Sequence, residues 1–303
     1  MKSVSAWVGV ALLVTGAFVS AQERHSDIEQ GNEIAPTEQA YDKAVAAVNR
    51  VAQAGPAVIP VLDQAYLTLS DGYVFLPMPE AGALMEAMGN HVDSTMAGMV
   101  VSAQNEDWML IIDYINDGHI SDDDAKEWNA DDLLTSLRDG TEAGNEERRT
   151  RGFPEIEVVD WVEPPTYDAQ TRRLVWAAES RHKGARSSDT AGVNYNTYML
   201  GREGYVTMNL VTAADKIEQY KPRAHEMLAA LEFVEGRRYS DFSADTDKVA
   251  AYGLAALVGG LAAKKLGMFA LLGVLLAKYA KIILIAVAGG GALAAKLFKR
   301  KQS

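Results

Sequence analysis

After Asp247 the chain contains no acidic residue. Its last stretch holds three apolar blocks, VAAYGLAALVGGLAA, LGMFALLGVLLA and IILIAVAGGGALAA, each closed by lysine, and ends in LFKRKQS. A stretch this apolar and this basic has no natural place on a soluble surface. Each block is shorter than the roughly 20 residues that span a bilayer core, yet together they exceed one span. The pattern predicts a C-terminal helical membrane anchor of two helices, about 248–265 and 267–298, broken near Gly267. The second helix is expected to cross once and leave its basic end in the cytoplasm. The first, with Lys264 and Lys265 at headgroup level, would lie in the interface. A two-span hairpin turning at Lys278–Lys281 is the alternative.

The other end carries a matching signal. Lys2, the apolar run Ala6–Val19 and the small-residue site Val19-Ser20-Ala21 predict a signal peptide over 1–21. The domain division is then 1–21 signal peptide, 22–54 acidic linker and helix, 55–240 extracytoplasmic domain, and 241–303 linker and anchor with basic tail. The body is strongly acidic. All 41 Asp and Glu lie between Glu23 and Asp247, where only 19 of the 29 Lys and Arg fall, so the body stands near −22 although the whole chain is −12. Such a surface repels nucleic acid, which is excluded as a partner. There is no cysteine, hence no disulfide, thiolate nucleophile or Cys-based zinc site.

Within the body, residues 37–54 read as a helix ended by Gly55-Pro56. Ala65–Leu69 and Tyr73–Leu76 flank Asp71-Gly72, the signature of a hairpin. A short helix is expected over Pro77–Met88, a strand over Trp108–Ile115, and a helix from Ala130 to about Arg151. Strands are expected at Glu157–Val162, ended by Pro164-Pro165, then at Arg173–Ala178, Gly192–Leu200 and Gly204–Thr212. Asp215–Leu231 closes as an amphipathic helix. The order predicts an α+β domain with a central antiparallel sheet covered by helices.

Several segments resemble a bacterial membrane-anchored family, domain of unknown function 2167. They are GYVFLP (72–77), DYINDGHISDDDA (113–125), GNEERRTRGFP (144–154), DWVEPPTYDAQTRRLVWA (160–177), VNYNTYMLGREGYVTMNLV (193–211) and TDKVAAYGLAALV (246–258). The resemblance spans about residues 55–300 and implies an exported domain with a C-terminal anchor. It implies no activity.

Catalytic spacing is absent from the sequence. None of the five histidines forms HExxH, and there is no GxSxG elbow or Walker A loop. Ser180-Arg-His-Lys183 fits S-x-x-K without its companion motifs. Asp113–Asp124 has the outline of a calcium loop, with Ile115 at a ligand position; a glycine turn before a capped acidic helix explains the same residues. The densest polar and aromatic set is Asn145, Glu146, Arg148, Trp161, Tyr167, Asp168, Trp176, Asn194, Tyr195, Asn196 and Arg202; all of these but Glu146 and Asn196 make up a candidate binding patch, in which Trp176 and Tyr195 would share a surface. Core packing and turn capping account for these residue types as well. The leading expectation is a non-catalytic binding or scaffold module of the envelope, with the membrane and an envelope protein as partners and no cofactor or metal. An envelope hydrolase with a dispersed Asp/Glu/Arg site, or a membrane-active tail, are the alternatives.

Overall fold

The computed structural model describes residues 38–259 except 89, 91, 127, 151–153 and 187–190. The expected signal peptide and most of the expected anchor lie outside these residues. Among the described residues no helix is long and apolar enough to cross a membrane.

The elements are α1 (Glu38–Val51), β1 (Gln53–Ala54), β2 (Ala57–Val61), β3 (Ala65–Leu69), β4 (Tyr73–Pro77), α2 (Glu80–Ala87), β5 (Met96–Ser102) and β6 (Trp108–Ile115). Then come α3 (Ala130–Thr150), β7 (Ile156–Asp168), β8 (Arg173–His182), β9 (Gly192–Leu200), β10 (Tyr205–Ala213), α4 (Ile217–Ala229) and β11 (Leu231–Phe233). Eight strands form one antiparallel sheet in the order β1-β4-β5-β6-β10-β9-β8-β7, and β11-β3-β2 form a smaller one. The α+β class is therefore the one the sequence implies.

Alternation sorts the side chains of the large sheet. On one face Leu110, Met208, Tyr195 and Ala177 join α4 and the small sheet in a single buried core. The other face carries two separate apolar clusters. One packs α1 and α2 over Val74, Leu76, Met99 and Met109. The other packs α3 and residues 250–258 over Leu174, Trp176, Tyr198 and Leu200.

The Asp71-Gly72 hairpin is corrected. β3 pairs with β2 and β11, whereas β4 pairs with β5 and β1. The reversal lies instead at Leu62–Gln64, where Leu62 takes a positive φ of 51°. The two-stranded ribbon passes from one sheet to the other with breaks at Gly55-Pro56 and Asp71-Gly72. Gly72 has φ 87°, and a Cβ on Gly55 would stand 1.9 Å from the Ser70 carbonyl oxygen. A corner of this kind needs the same left-handed glycine that a hairpin turn needs.

β7 runs through Pro164-Pro165 to Asp168, beyond its expected end. It is the outermost strand, with shifts of register between Glu163 and Thr166. A proline there removes no interior ladder bond.

Residues 248–254 are not helical, and the helix begins only at Ala256. This departs from the expected interfacial helix over 248–265. Ala250, Tyr252, Leu254, Ala256, Leu257 and Val258 are buried in the domain's own core. The acidic segment Asp117–Asp124 holds them there. Asp124 accepts from the backbone N–H groups of Leu254 and Ala255, both at 3.1 Å, while Asp117 accepts from the Tyr252 hydroxyl. His119 N–H bonds to the Lys248 carbonyl at 2.8 Å.

Candidate functional site

The predicted patch divides when its residues are placed. Asn145, fully buried on α3, splices the helix to β7: its amide donates to the Ile156 carbonyl and its Oδ1 accepts from the Ile156 N–H, both at 2.9 Å. Arg148 donates to the Pro154 carbonyl at 2.8 Å. Trp161 Nε1 donates to the Ala130 carbonyl at 3.1 Å at the start of α3. Tyr167 donates to Asp122 at 2.8 Å. Asp168 accepts from Gln170 N–H and the Thr171 hydroxyl at 2.8 Å, stapling the β7–β8 turn. Arg202 forms a two-pronged pair with Asp247 at 2.8 and 2.9 Å, which holds that carboxyl well below its usual range. These groups fasten elements together.

Trp176 and Tyr195 do not share a surface. Trp176 pairs across the ladder with Asn196, and Tyr195 with Ala177. Adjacent registers point to opposite faces. Tyr195 lies in the closed core, and its hydroxyl donates to Glu163 at 2.9 Å and sits 2.8 Å from His225 Nε2. Burial pushes that phenol up, as does the bond to Glu163.

The other motifs are likewise occupied. Ser180 and Lys183 bracket the end of β8 rather than one helical turn, and Lys183 pairs with Glu142 at 2.8 Å and Glu155 at 3.2 Å. In the calcium-like segment, Asp122 receives Tyr167, Tyr239 and Arg172. Among the described residues no group of three or more His, Cys, Asp or Glu is placed to hold a metal.

What the structure does assemble is a polar groove across the split face of the sheet. Successive ladder partners give one row: Met99 on β5, Ile111 on β6, Asn209 on β10, Asn196 on β9 and Trp176 on β8. The row therefore begins and ends apolar and is carboxamide in the middle. Neighbouring registers on the same face add Asn194 and Asp113. Two recesses lie along it and share Asn209. One of about 230 Å³ is lined by Asp113, Thr95, Ile111 and Met96. The second, of about 220 Å³, is lined by Asn194, Asn196, Trp176, Ser180 and, from α3, Leu137 and Thr141.

The wall is firm and the floor polar. Trp176 meets Trp161 edge-on at 5.9 Å and stacks on Tyr198 at 6.5 Å. Asn196 is 7% exposed and donates to the Asn194 carbonyl at 3.1 Å. Asn209 donates to Asn194 Oδ1 only at 3.4 Å, a long bond, and its own Oδ1 is buried with no partner among the described residues. Such an atom costs about 1–3 kcal/mol. Burial pushes Asp113 up to about 6, helped by the nearby Asp93 charge and opposed by the Thr95 hydroxyl.

Of the nine predicted residues, Trp176 and Asn194 line this groove, and Trp161 buttresses it. Asn209, Asn196 and Asp113 complete it. Their signal is in the sequence: asparagines interrupt the otherwise apolar strands VNYNTYML and YVTMNLV. The Gly201–Gly204 turn, which pairs Leu200 with Tyr205, fixes the register that brings Asn196 opposite Asn209.

No curated protein matches the chain. The solution structure of cyanobacterial PsbP (CyanoP) from Synechocystis sp. PCC 6803 is similar over 60% of this chain and 91% of its own, at 11% identity and a TM-score of 0.36. The Saccharomyces cerevisiae Ran-binding protein Mog1p is similar over 59% of this chain and 93% of its own, at 10% identity and a TM-score of 0.31. Likeness at this level says nothing about ligand or chemistry. The family model is another matter: it matches residues 53–288, the bulk of the chain, and the protein belongs to the family of proteins of unknown function DUF2167.

Proposed function

We propose that this protein is an exported, membrane-tethered binding module that recognises a ligand in the asparagine groove without covalent chemistry. The observation that carries the reading is the under-satisfied Asn209 between two recesses, on a sheet face that, among the described residues, helices cover at both ends but not in the middle. A half-buried carboxamide whose buried acceptor stands idle is costly to keep for folding alone and useful for recognition. The side chains that could move protons or hold anions elsewhere, Asp122, Asp124, Arg202 and Asp247, are engaged in fastening the fold. Support for the tether comes from the acid-free, lysine-studded tail and the signal-like start. The clamp on residues 250–258 fits that reading, since it would mount the domain firmly on the segment beyond Gly259.

The absence of cysteine makes a direct test simple. Thr141→Cys places a label at the groove and Thr68→Cys one on the exposed face of the small sheet. Each is to be coupled to a maleimide photo-crosslinker on spheroplasts expressing the full chain. The expected result is labelling without permeabilisation, a membrane-fraction protein, and a light-dependent adduct from Thr141→Cys alone. Equal adducts from both sites, or none from either, would remove the groove from consideration.

A further inference from the structure

We propose that the Asn194–Asn196–Asn209 groove takes an uncharged, hydroxyl-rich ligand the size of one saccharide unit; this rests on the groove being a binding site at all. The argument is complementarity. A carboxamide offers donor and acceptor side by side, and a hydroxyl is likewise both. Three carboxamides lining one recess, with Asn209 reaching the Asn194 side chain, Asn196 bonding the Asn194 backbone carbonyl, and the Ser180 and Thr141 hydroxyls beside them, match the paired donors and acceptors of vicinal hydroxyls. Phosphate and carboxylate only accept, and they call for Arg or Lys. Among the described residues no Lys or Arg lines either recess. Asp113 at the far end adds an acceptor for hydroxyls and a further obstacle to anions.

An extended peptide is the competing ligand, and the floor argues against it. Strand addition requires an unpaired edge. β6, β10 and β9 are interior strands, paired on both sides, so the groove presents side chains and no free backbone. Size points the same way. Recesses of about 220 and 230 Å³ fall below the roughly 300 Å³ where pockets for drug-sized ligands begin. Each has the volume of about seven waters at about 30 Å³ apiece, which suits one ring carrying several hydroxyls. The apolar walls, Ile111 and Met96 on one side and Leu137 and Val158 on the other, suit the C–H faces of such a ring.

The test is ligand-observed saturation-transfer NMR on the detergent-solubilised full chain. The probes are the methyl glycosides of glucose, galactose, mannose and N-acetylglucosamine, with N-acetylglycinamide as an uncharged peptide unit and inorganic phosphate as an anion. At least one glycoside is expected to saturate with a dissociation constant near ~1 mM. Asn209→Leu, which fills the recess and removes the carboxamide, should weaken it at least tenfold, and Asn194→Ala should weaken it also. The melting temperature of both variants is to be checked against the parent, so that lost signal reports lost binding and not unfolding. Phosphate should neither bind nor compete. Glycoside signals that survive Asn209→Leu unchanged overturn the proposal, because the sugar then sits elsewhere. If the glycosides fail while N-acetylglycinamide binds and is sensitive to Asn209, the binding reading stands and the saccharide class falls. If no probe responds to Asn209, the recess holds water only and both fall.

Discussion

The two faces of the large sheet solve the same burial problem differently. On one, α4 and the small sheet cover the strands from end to end, and the residues beneath form a single apolar cluster. On the other, the cover is in two pieces, and the strands between them carry Asn194, Asn196, Asn209 and Asp113. The first arrangement maximises buried apolar area. The second gives up part of that area to hold amides and a carboxylate half-way out of water. The difference separates residues that keep the domain folded from residues whose presence folding does not explain.

The sharpest test uses two neighbours in β10. Leu210 points into the closed face and is 0% exposed, between Leu110 and Tyr195. Asn209 points into the groove. Leu210→Ala should cost about 2–5 kcal/mol, the usual penalty for a large-to-small core change with little room to collapse. Asn209→Ala, which deletes an under-satisfied amide beside existing space, should cost less than about 1 kcal/mol. Urea unfolding of the purified chain measures both. Similar costs would mean that the groove is merely a loosely packed part of the core.

Asp113 allows a test of the groove by pH. Its folded-state pKa, near 6, lies above the unfolded value of about 3.9. A raised carboxyl pKa means that the native state holds the proton more tightly. The stabilisation is full below about pH 4 and is lost as pH rises through 6. Asp113→Asn keeps the shape and removes the titration. It should therefore leave stability nearly unchanged at pH 4 and raise it by about 3 kcal/mol at pH 8, at about 1.4 kcal/mol per tenfold. An equal effect at both pH values would mean that Asp113 is hydrated in the native state and not held in the groove against Asp93 and Thr95.

How far the sequence reaches depends on the range of each signal. Helices α3 and α4 and strands β6, β9 and β10 are legible because periodicity and turn chemistry are local. β2 and β5 are not: AVIPV carries a proline tolerated at the edge of the small sheet, and MAGMVVS lacks a polar alternation because it is buried on both faces. Asp71-Gly72 misleads because a corner between sheets asks the same of glycine as a hairpin does. The polar and aromatic patch reads as one set along the chain, yet β-strand parity sends Tyr195 to one face and Trp176 to the other. Counting registers outward from the Gly201–Gly204 turn separates them and pairs Asn196 with Asn209. The partner of the acidic segment is not legible locally, because Asp124 and Gly253 meet across 128 intervening residues.

That meeting supplies the smallest and most specific prediction, and it concerns how the divided face holds its second cover in place. Asp124 caps the Leu254 and Ala255 amides, and a Cβ on Gly253 would stand 2.4 Å from its Oδ2. Asp124→Ala removes the cap and should cost about 1 kcal/mol. Gly253→Ala should cost a similar amount, because the new methyl displaces a carboxylate held by two N–H donors. The two losses share one cause, so the double variant should cost less than their sum by roughly 1 kcal/mol. Limited proteolysis between Asp247 and Gly259 should quicken in all three variants if residues 250–258 are held against the domain by this contact. Additive costs, or unchanged cleavage, would show that Tyr252, Leu254 and Leu257 hold the segment by apolar burial alone, and that the two faces of the sheet are secured by the same means after all.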